Sequence, residues 1–227
     1  MNLAIIPARG GSKRIPKKNI KSFSGMPIIA YSIQAAINCK IFDKVMVSTD
    51  SEEIARIAMD YGATVPFMRS KNTSDDFATT TDVLIEVLEA YADIENTFDY
   101  LCCIYPTAPF VTSDILFTAY KLLLEERADA LIPVVPFSYP PMRGLIIENS
   151  RLKMKWPENI NARSQDLDSM YHDSGQFYFV RVEAFLKEKK LFCNNTVPML
   201  LSELEVQDID NETDWKLAEL KYKMFVE

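Results

Sequence analysis

Ala4-Ile5-Ile6-Pro7-Ala8-Arg9-Gly10-Gly11-Ser12-Lys13-Arg14, running on to Lys17-Lys18-Asn19, is the stretch from which the rest of the chain is read. Residues 3–7 form an apolar run that reads as a buried strand, and two adjacent glycines follow it. Glycine permits tight turns and close backbone approach, so successive N–H groups can point into one concavity. Arg9, Lys13, Arg14, Lys17 and Lys18 ring that concavity in a chain whose net charge is -7. Cations concentrated in one loop of an acidic protein point to a specific polyanion, with a nucleoside triphosphate the natural candidate. The bland alternative is a solvated basic loop. The loop matches neither G-x-x-x-x-G-K-[ST] nor G-x-G-x-x-G, which weighs against kinase, motor ATPase and dehydrogenase readings.

Outward from this loop, apolar runs alternate with amphipathic stretches. A helix is expected over 27–39, opened by Pro27, and a strand over 45–49 ending at Asp50. Ser51-Glu52-Glu53 begins a helix through about Tyr61, with Gly62 as its stop. A short strand at 64–67, a helix near 80–92, a strand at 100–104, a helix near 113–127 and a strand at 131–135 complete the rhythm. This order predicts a mainly parallel sheet covered by helices on both faces, with ligands outside the carboxyl ends of the strands. After residue 136 the prolines Pro136, Pro140, Pro141 and Pro157 break the pattern, and 145–160 reads as a short hairpin with an irregular return. We read 136–178 as an insertion in a single domain spanning 1–227. Phe177-Tyr178-Phe179-Val180 restores a strand, and a helix capped by Asn211 closes the chain over 211–225.

Composition sets the outer limits. The chain has 227 residues, 48% of them hydrophobic, as expected of one folded α/β domain. No apolar run approaches the roughly 18–20 residues of a membrane span. The first strand begins by Leu3, so we expect no secretory leader and a cytoplasmic location. Cys39, Cys102, Cys103 and Cys193 form no C-x-x-C pair and read as buried free thiols. The single histidine, His172, excludes a multi-histidine metal site. Acidic charge argues against nucleic-acid binding.

Two more constellations bear on chemistry. In Val206-Gln207-Asp208-Ile209-Asp210, an extended backbone would put both carboxylates on one face and Ile209 in the core. Such a pair suits Mg²⁺, which takes oxygen ligands and completes its shell with water and phosphates. A helix-opening turn that uses aspartate as a cap is the alternative. The second constellation joins Arg163-Ser164-Gln165-Asp166 to Tyr171-His172-Asp173-Ser174-Gly175-Gln176-Phe177-Tyr178. Arginine, amides and aromatics gathered in an irregular segment can recognise a carboxylated sugar, with Arg163 pairing bidentately. Arg69 and Arg143 are further cations in loops, and His172 alone reads as structural.

Ala8-Arg9-Gly10-Gly11-Ser12-Lys13, Lys18-Asn19, Val47-Ser48-Thr49-Asp50, Arg163-Ser164-Gln165-Asp166 and Asp208-Ile209-Asp210 resemble, in order, the CMP-sugar-acid synthetases, or acylneuraminate cytidylyltransferases. The resemblance spans nearly the whole chain. It implies a Rossmann-like α/β fold of the nucleotide-diphospho-sugar transferase type, and a homodimer whose 136–178 insertion reaches toward the partner. It also implies Mg²⁺ dependence and transfer of CMP from CTP to the anomeric hydroxyl of a nine-carbon sugar acid.

By the same resemblance, Ala8, Arg9, Gly10, Gly11, Ser12, Lys13, Lys18 and Asn19 bind the nucleotide, and Arg69 and Ser74 fall near positions that contact it. Asp208 and Asp210 match the metal-binding pair, and with Arg9 and Lys13 they make the expected catalytic set. Tyr105, Arg143, Arg163, Gln165, Tyr171, Gln176 and Phe177 are the expected sugar-binding residues. Sialic acid synthetases carry glutamine in an I-Q-A-T-S-P-like segment where this chain has Tyr105. The departure fits a differently substituted nonulosonic acid, such as pseudaminic acid, better than sialic acid. Legionaminic, sialic and 3-deoxy-manno-octulosonic acids are the alternative substrates, and a non-catalytic nucleotide-binding module is the alternative class.

Overall fold

The structure is a computed structural model describing residues 1–226, with side chains through Met224. The strand β1 (Asn2–Pro7) is followed by a small ribbon, β2 (Ser22–Phe23) and β3 (Met26–Pro27), and by helix α1 (Ile28–Cys39). Then come β4 (Lys44–Ser48), α2 (Glu52–Asp60), α3 (Thr80–Ala92), β5 (Tyr100–Ile104), α4 (Ser113–Glu125) and β6 (Ala130–Pro136). A hairpin of β7 (Leu145–Glu148) and β8 (Arg151–Met154) precedes β9 (Tyr171–Asp173) and β10 (Phe177–Arg181). The chain closes with α5 (Val182–Glu188), β11 (Thr196–Leu200) and α6 (Glu212–Val226).

The main sheet runs β11-β6-β10-β5-β1-β4, with β9 also paired to β6. The β1–β4, β1–β5 and β6–β11 pairs are parallel, whereas β10 is antiparallel to both neighbours. Because side chains alternate along a strand, Ala4 and Ile6 of β1 pack toward α1, α2 and α4. Leu3 and Ile5 pack toward α3 and α5 on the other face. Both faces are covered, as the near-continuous apolar strands require.

A third, smaller core holds Phe23, Tyr31, Phe110, Ile209 and Trp215 together. Its rings meet edge to face, with Phe23 at 5.7 Å from Tyr31 and 5.6 Å from Trp215. This core ties α6 and the segment before it to the N-terminal loop.

The expected strand at 64–67 is a correction. Only Thr64 bridges Met46, and Pro66, which lacks an N–H, cannot extend the ladder. β9, α5 and β11 were not foreseen. β9 and β10 form one interrupted strand against β6, broken at Ser174–Gln176. The insertion leaves β6 and returns through β9 at a narrow neck, where Pro136 pairs with Tyr171 and Phe137 N–H donates to Met170 O at 2.9 Å. Among the described residues, no helix is long and apolar enough to cross a membrane.

Candidate active site

β1 and β5 open onto one cleft at their carboxyl ends. This cavity of about 530 Å³ is lined by Arg9, Lys13, Lys18, Arg69, Thr80 and Tyr105, among others. The loop after β1 is pinned at several points. Asn19 Nδ2 donates to Arg9 O at 2.9 Å, and Ala8 N–H donates to Ser48 O at 2.9 Å. Gly10 lies so close to the start of α2 that an added Cβ would stand 3.1 Å from Ser51 Cβ. Glycine there serves close approach, whereas Gly11 has open space around it.

The expected nucleotide-binding residues are placed in different ways. Gly10 N–H is not free for a phosphate, because it donates to Asp50 Oδ1 at 2.8 Å. Ala8 is fully buried and offers no side-chain surface. Ser74 spends its hydroxyl on Ser70 O at 2.6 Å and does not line the cleft. The cations stand differently. Lys13 is 77% exposed at the side chain, and Arg9, Lys13, Arg14 and Lys18 all line the cavity. Asp76 carries both Arg9, at 2.8 Å, and Lys13.

Arg69 is only 9% exposed, yet it lines the same cleft. Its Nε donates to Ser48 Oγ at 3.0 Å. Burial lowers its pKa, against the opposing pull of Asp50 and Glu86. A guanidinium fixed from behind in this way presents a constrained donor edge to an anion.

Asp208-Ile209-Asp210 is irregular rather than strand, but the alternation expected of it holds. Ile209 is 1% exposed in the third core, while Asp208 and Asp210 face outward. Capping of the last helix falls instead to Asn211, whose Oδ1 accepts from Thr213 and Asp214 N–H at 2.8 and 3.1 Å. Lys18 Nζ donates to Ile209 O at 2.8 Å, and Arg14 pairs with Asp210 at 2.9 Å. The carboxylates thus sit beside the cationic loop although 190 or so residues separate them in sequence. Burial pushes the Asp208 carboxyl up, and the like charge of Asp210 adds to it. Among the described residues, no cluster of three or more metal-ligating side chains occurs.

The expected sugar-binding residues are not brought together within this chain. Tyr105 lines the first cleft. Phe177 does not: it is 0% exposed in the core against α1 and α4, on the opposite sheet face from Val83 and Thr80 of α3. Strand alternation gives that side to its neighbour Tyr178, whose ring stands edge-on to Tyr105 with centroids 5.5 Å apart. Period two puts Phe177 and Tyr178 on opposite faces, but only the packing of the sheet decides which of them meets Tyr105. Gln176 is buried, its Nε2 donating to Gln207 O at 3.4 Å. A second cavity of about 460 Å³ holds His172, Asp173, Ser174 and Asp208. Arg163 is exposed and paired with Asp166 at 2.7 Å, Tyr171 is exposed on β9, and Gln165 lines a separate hollow beside Phe137. Arg143 lies over the Tyr139 ring at 5.8 Å.

Asp76 and Thr80 were also missed. Thr79-x-x-Asp82 is a capping box that starts α3 and sets Thr80 at the cleft wall, a signal readable in the sequence.

A doubly covered, mainly parallel sheet with a cation-lined cleft at its strand ends is the nucleotidyltransferase architecture. The fold matches that of CMP:2-keto-3-deoxy-manno-octonic acid synthetase complexed with CTP, at a TM-score of 0.69 and 16% identity, over 99% of this chain and 98% of the other. The chain belongs to the cytidylyltransferase family, whose model matches residues 3–213. It is 43% identical to pseudaminic acid cytidylyltransferase from Campylobacter jejuni over 98% of this chain and 97% of that one. It is 30% identical to CMP-N,N'-diacetyllegionaminic acid synthase from Legionella pneumophila, over 96% and 94% of the two chains.

Proposed function

We propose that this enzyme transfers CMP from CTP to the anomeric hydroxyl of pseudaminic acid, releasing pyrophosphate. The observation that carries the chemistry is the meeting of Arg9, Lys13, Lys18 and Arg69 in one cleft beside Asp208 and Asp210. The sugar is assigned on the 43% identity to the Campylobacter jejuni protein, against 30% to the legionaminic acid enzyme.

The anomeric oxygen attacks the α-phosphorus in line. A new O–P bond forms, the bond from the α-phosphorus to the oxygen bridging it to the β-phosphorus breaks with its electron pair leaving on pyrophosphate, and the hydroxyl proton passes to solvent water. Such transfers depend on positioning and charge neutralisation more than on covalent catalysis. Arg9 and Lys13 hold the phosphates at the cleft mouth, and Arg69 reaches them from the buried wall. Asp208 and Asp210 would hold Mg²⁺, and their donor set suits it: two outward-facing carboxylates flanking a buried Ile209. Bound there, the ion would supply positive charge to offset that of the phosphates and would make a neighbouring hydroxyl more acidic.

The 136–178 insertion belongs to the same single domain and serves homodimerisation. Its hairpin exposes Leu145, Ile147 and Leu152, an apolar face suited to a second copy. Arg143, Arg163 and Gln165 then contribute to sugar binding across that interface. The enzyme works in the cytoplasm.

The test is pyrophosphate release from CTP and Mg²⁺ with a panel of eight- and nine-carbon keto acids. We expect the highest kcat/KM with pseudaminic acid. Preference for sialic or legionaminic acid would overturn the substrate assignment.

A further inference from the structure

Asp173 lines the second cavity, and both of its carboxylate oxygens are committed. Oδ2 accepts from the Tyr178 hydroxyl at 2.8 Å, and Oδ1 accepts from Gly175 N–H at 2.8 Å. The first bond satisfies a phenol that is 5% exposed and would otherwise lose its partner on burial. The second closes the break between β9 and β10, where Gly175 takes a φ of 63°. That turn brings Gly175 against Asp208, since a Cβ there would lie 3.8 Å from Asp208 Cγ.

The connection continues into the first cleft. The Tyr178 ring stands edge-on to the Tyr105 ring, with centroids 5.5 Å apart and planes at 68°. The Tyr105 hydroxyl lies 3.4 Å from Thr80 Oγ1, and Tyr105 N–H donates to Gln176 O at 2.9 Å. Tyr105 is therefore held by its backbone on one side and by the Tyr178–Asp173 pair on the other.

We propose that Asp173 is a positioning residue for sugar-acid recognition, acting through Tyr178 on Tyr105 and through the Gly175 turn on the wall beside Asp208. The inference rests on the reading of Tyr105 as a sugar-facing residue. Tyr178 is too buried to meet substrate directly, so its contribution passes through the rings.

The experiment measures KM for pseudaminic acid, KM for CTP, kcat and melting temperature. The variants are Asp173→Ala, Asp173→Asn, Tyr178→Phe, the Asp173→Ala/Tyr178→Phe double and Tyr105→Ala. Asp173→Ala and Tyr178→Phe should each raise the sugar KM by about tenfold, equivalent to ~1.4 kcal/mol, and leave the CTP KM within about twofold. The double variant should be no worse than Asp173→Ala alone, because Tyr178→Phe removes only the Asp173–Tyr178 bond that Asp173→Ala has already taken away. Asp173→Asn should recover most of the loss, since its amide accepts from Gly175 and donates to Tyr178. A parallel rise in both KM values with a lowered melting temperature would reduce Asp173 to a structural role and overturn the proposal. So would additive single effects. If Tyr105→Ala raises the sugar KM and Tyr178→Phe does not, the positioning proposal fails while the reading of Tyr105 stands. An unchanged sugar KM in Tyr105→Ala sinks both.

Discussion

Asp76 and Arg9 are joined across the cleft mouth by a 2.8 Å ion pair, and the same Asp76 carboxylate also accepts from Lys13. These hydrogen bonds hold the Asp76 carboxyl below the usual carboxylate range, that from Lys13 foremost. One acidic side chain therefore pairs with both of the cations proposed above to meet the phosphates of CTP. We expect Asp76→Asn to lower the Kd for CTP by about three- to tenfold, the larger value at low ionic strength where exposed charges are least screened. Calorimetric titration with CTP checks this, and weaker binding would instead make Asp76 a support for Arg9 and Lys13.

The carboxylate pair makes a second expectation. Asp208→Asn and Asp210→Asn should each cut kcat in saturating Mg²⁺ by roughly a hundredfold, or ~2.7 kcal/mol of barrier. CTP binding measured without metal should change much less. Chelation of Mg²⁺ should reproduce the loss in the unsubstituted enzyme and leave little further effect in either variant. Mg²⁺-dependent turnover surviving in both variants would remove the pair from the metal site.

Glu86 links pH to the stability of the Arg69 loop. Burial alone would raise its pKa, but bonds from Thr73, Ser70 N–H and Ser70 Oγ, with Arg69 nearby, bring it below the ordinary value. A depressed carboxyl stabilises the fold above the unfolded pKa of about 4.3 and loses that contribution as pH falls through the folded value. Glu86→Gln should therefore melt below the unsubstituted enzyme at pH 7, with the difference shrinking as the pH is lowered toward 3. Thermal melts across that range provide the measurement, and a constant difference would assign the effect to packing alone.

Phe23 tests the third core. It is fully buried between Tyr31 and Trp215, and Phe23→Ala should cost about 3–5 kcal/mol. The same core seats Ile209, so the variant should also raise the Mg²⁺ concentration needed for half-maximal activity. Denaturant unfolding and a metal titration separate the two effects.

Ile147 is 77% exposed on the hairpin face assigned to the partner. Ile147→Asp should shift the protein from dimer to monomer in light scattering. Its thermal stability should be affected mainly through dissociation.

Where local rules dominate, the sequence was sufficient. Residues 80–92 and 100–104 follow helical and strand patterns and occupy those limits in the structure. The alternation of Asp208, Ile209 and Asp210 also held, because a single buried isoleucine fixes which way its neighbours face. The failures arise where tertiary context overrides local pattern. Gly10 N–H was expected to serve phosphate, but its acceptor is Asp50, 40 residues away. Phe177 and Tyr178 are both aromatic, and only the sheet's packing assigns one to the core and the other to Tyr105. Asp76 has no local signature, since its importance comes from cations more than 60 residues earlier.

The narrow neck at Pro136–Tyr171 and Phe137–Met170 has a consequence for how this fold diversifies. Residues 138–169 enter and leave at one point, so the sheet registers their presence only through a pair of adjoining strands. They form a cassette whose length and sequence can be exchanged without re-pairing any strand beneath the nucleotide cleft. A graft cut at this neck would carry Arg143, Arg163 and Gln165 together and leave Tyr105 and the Tyr178–Asp173 pair where they stand.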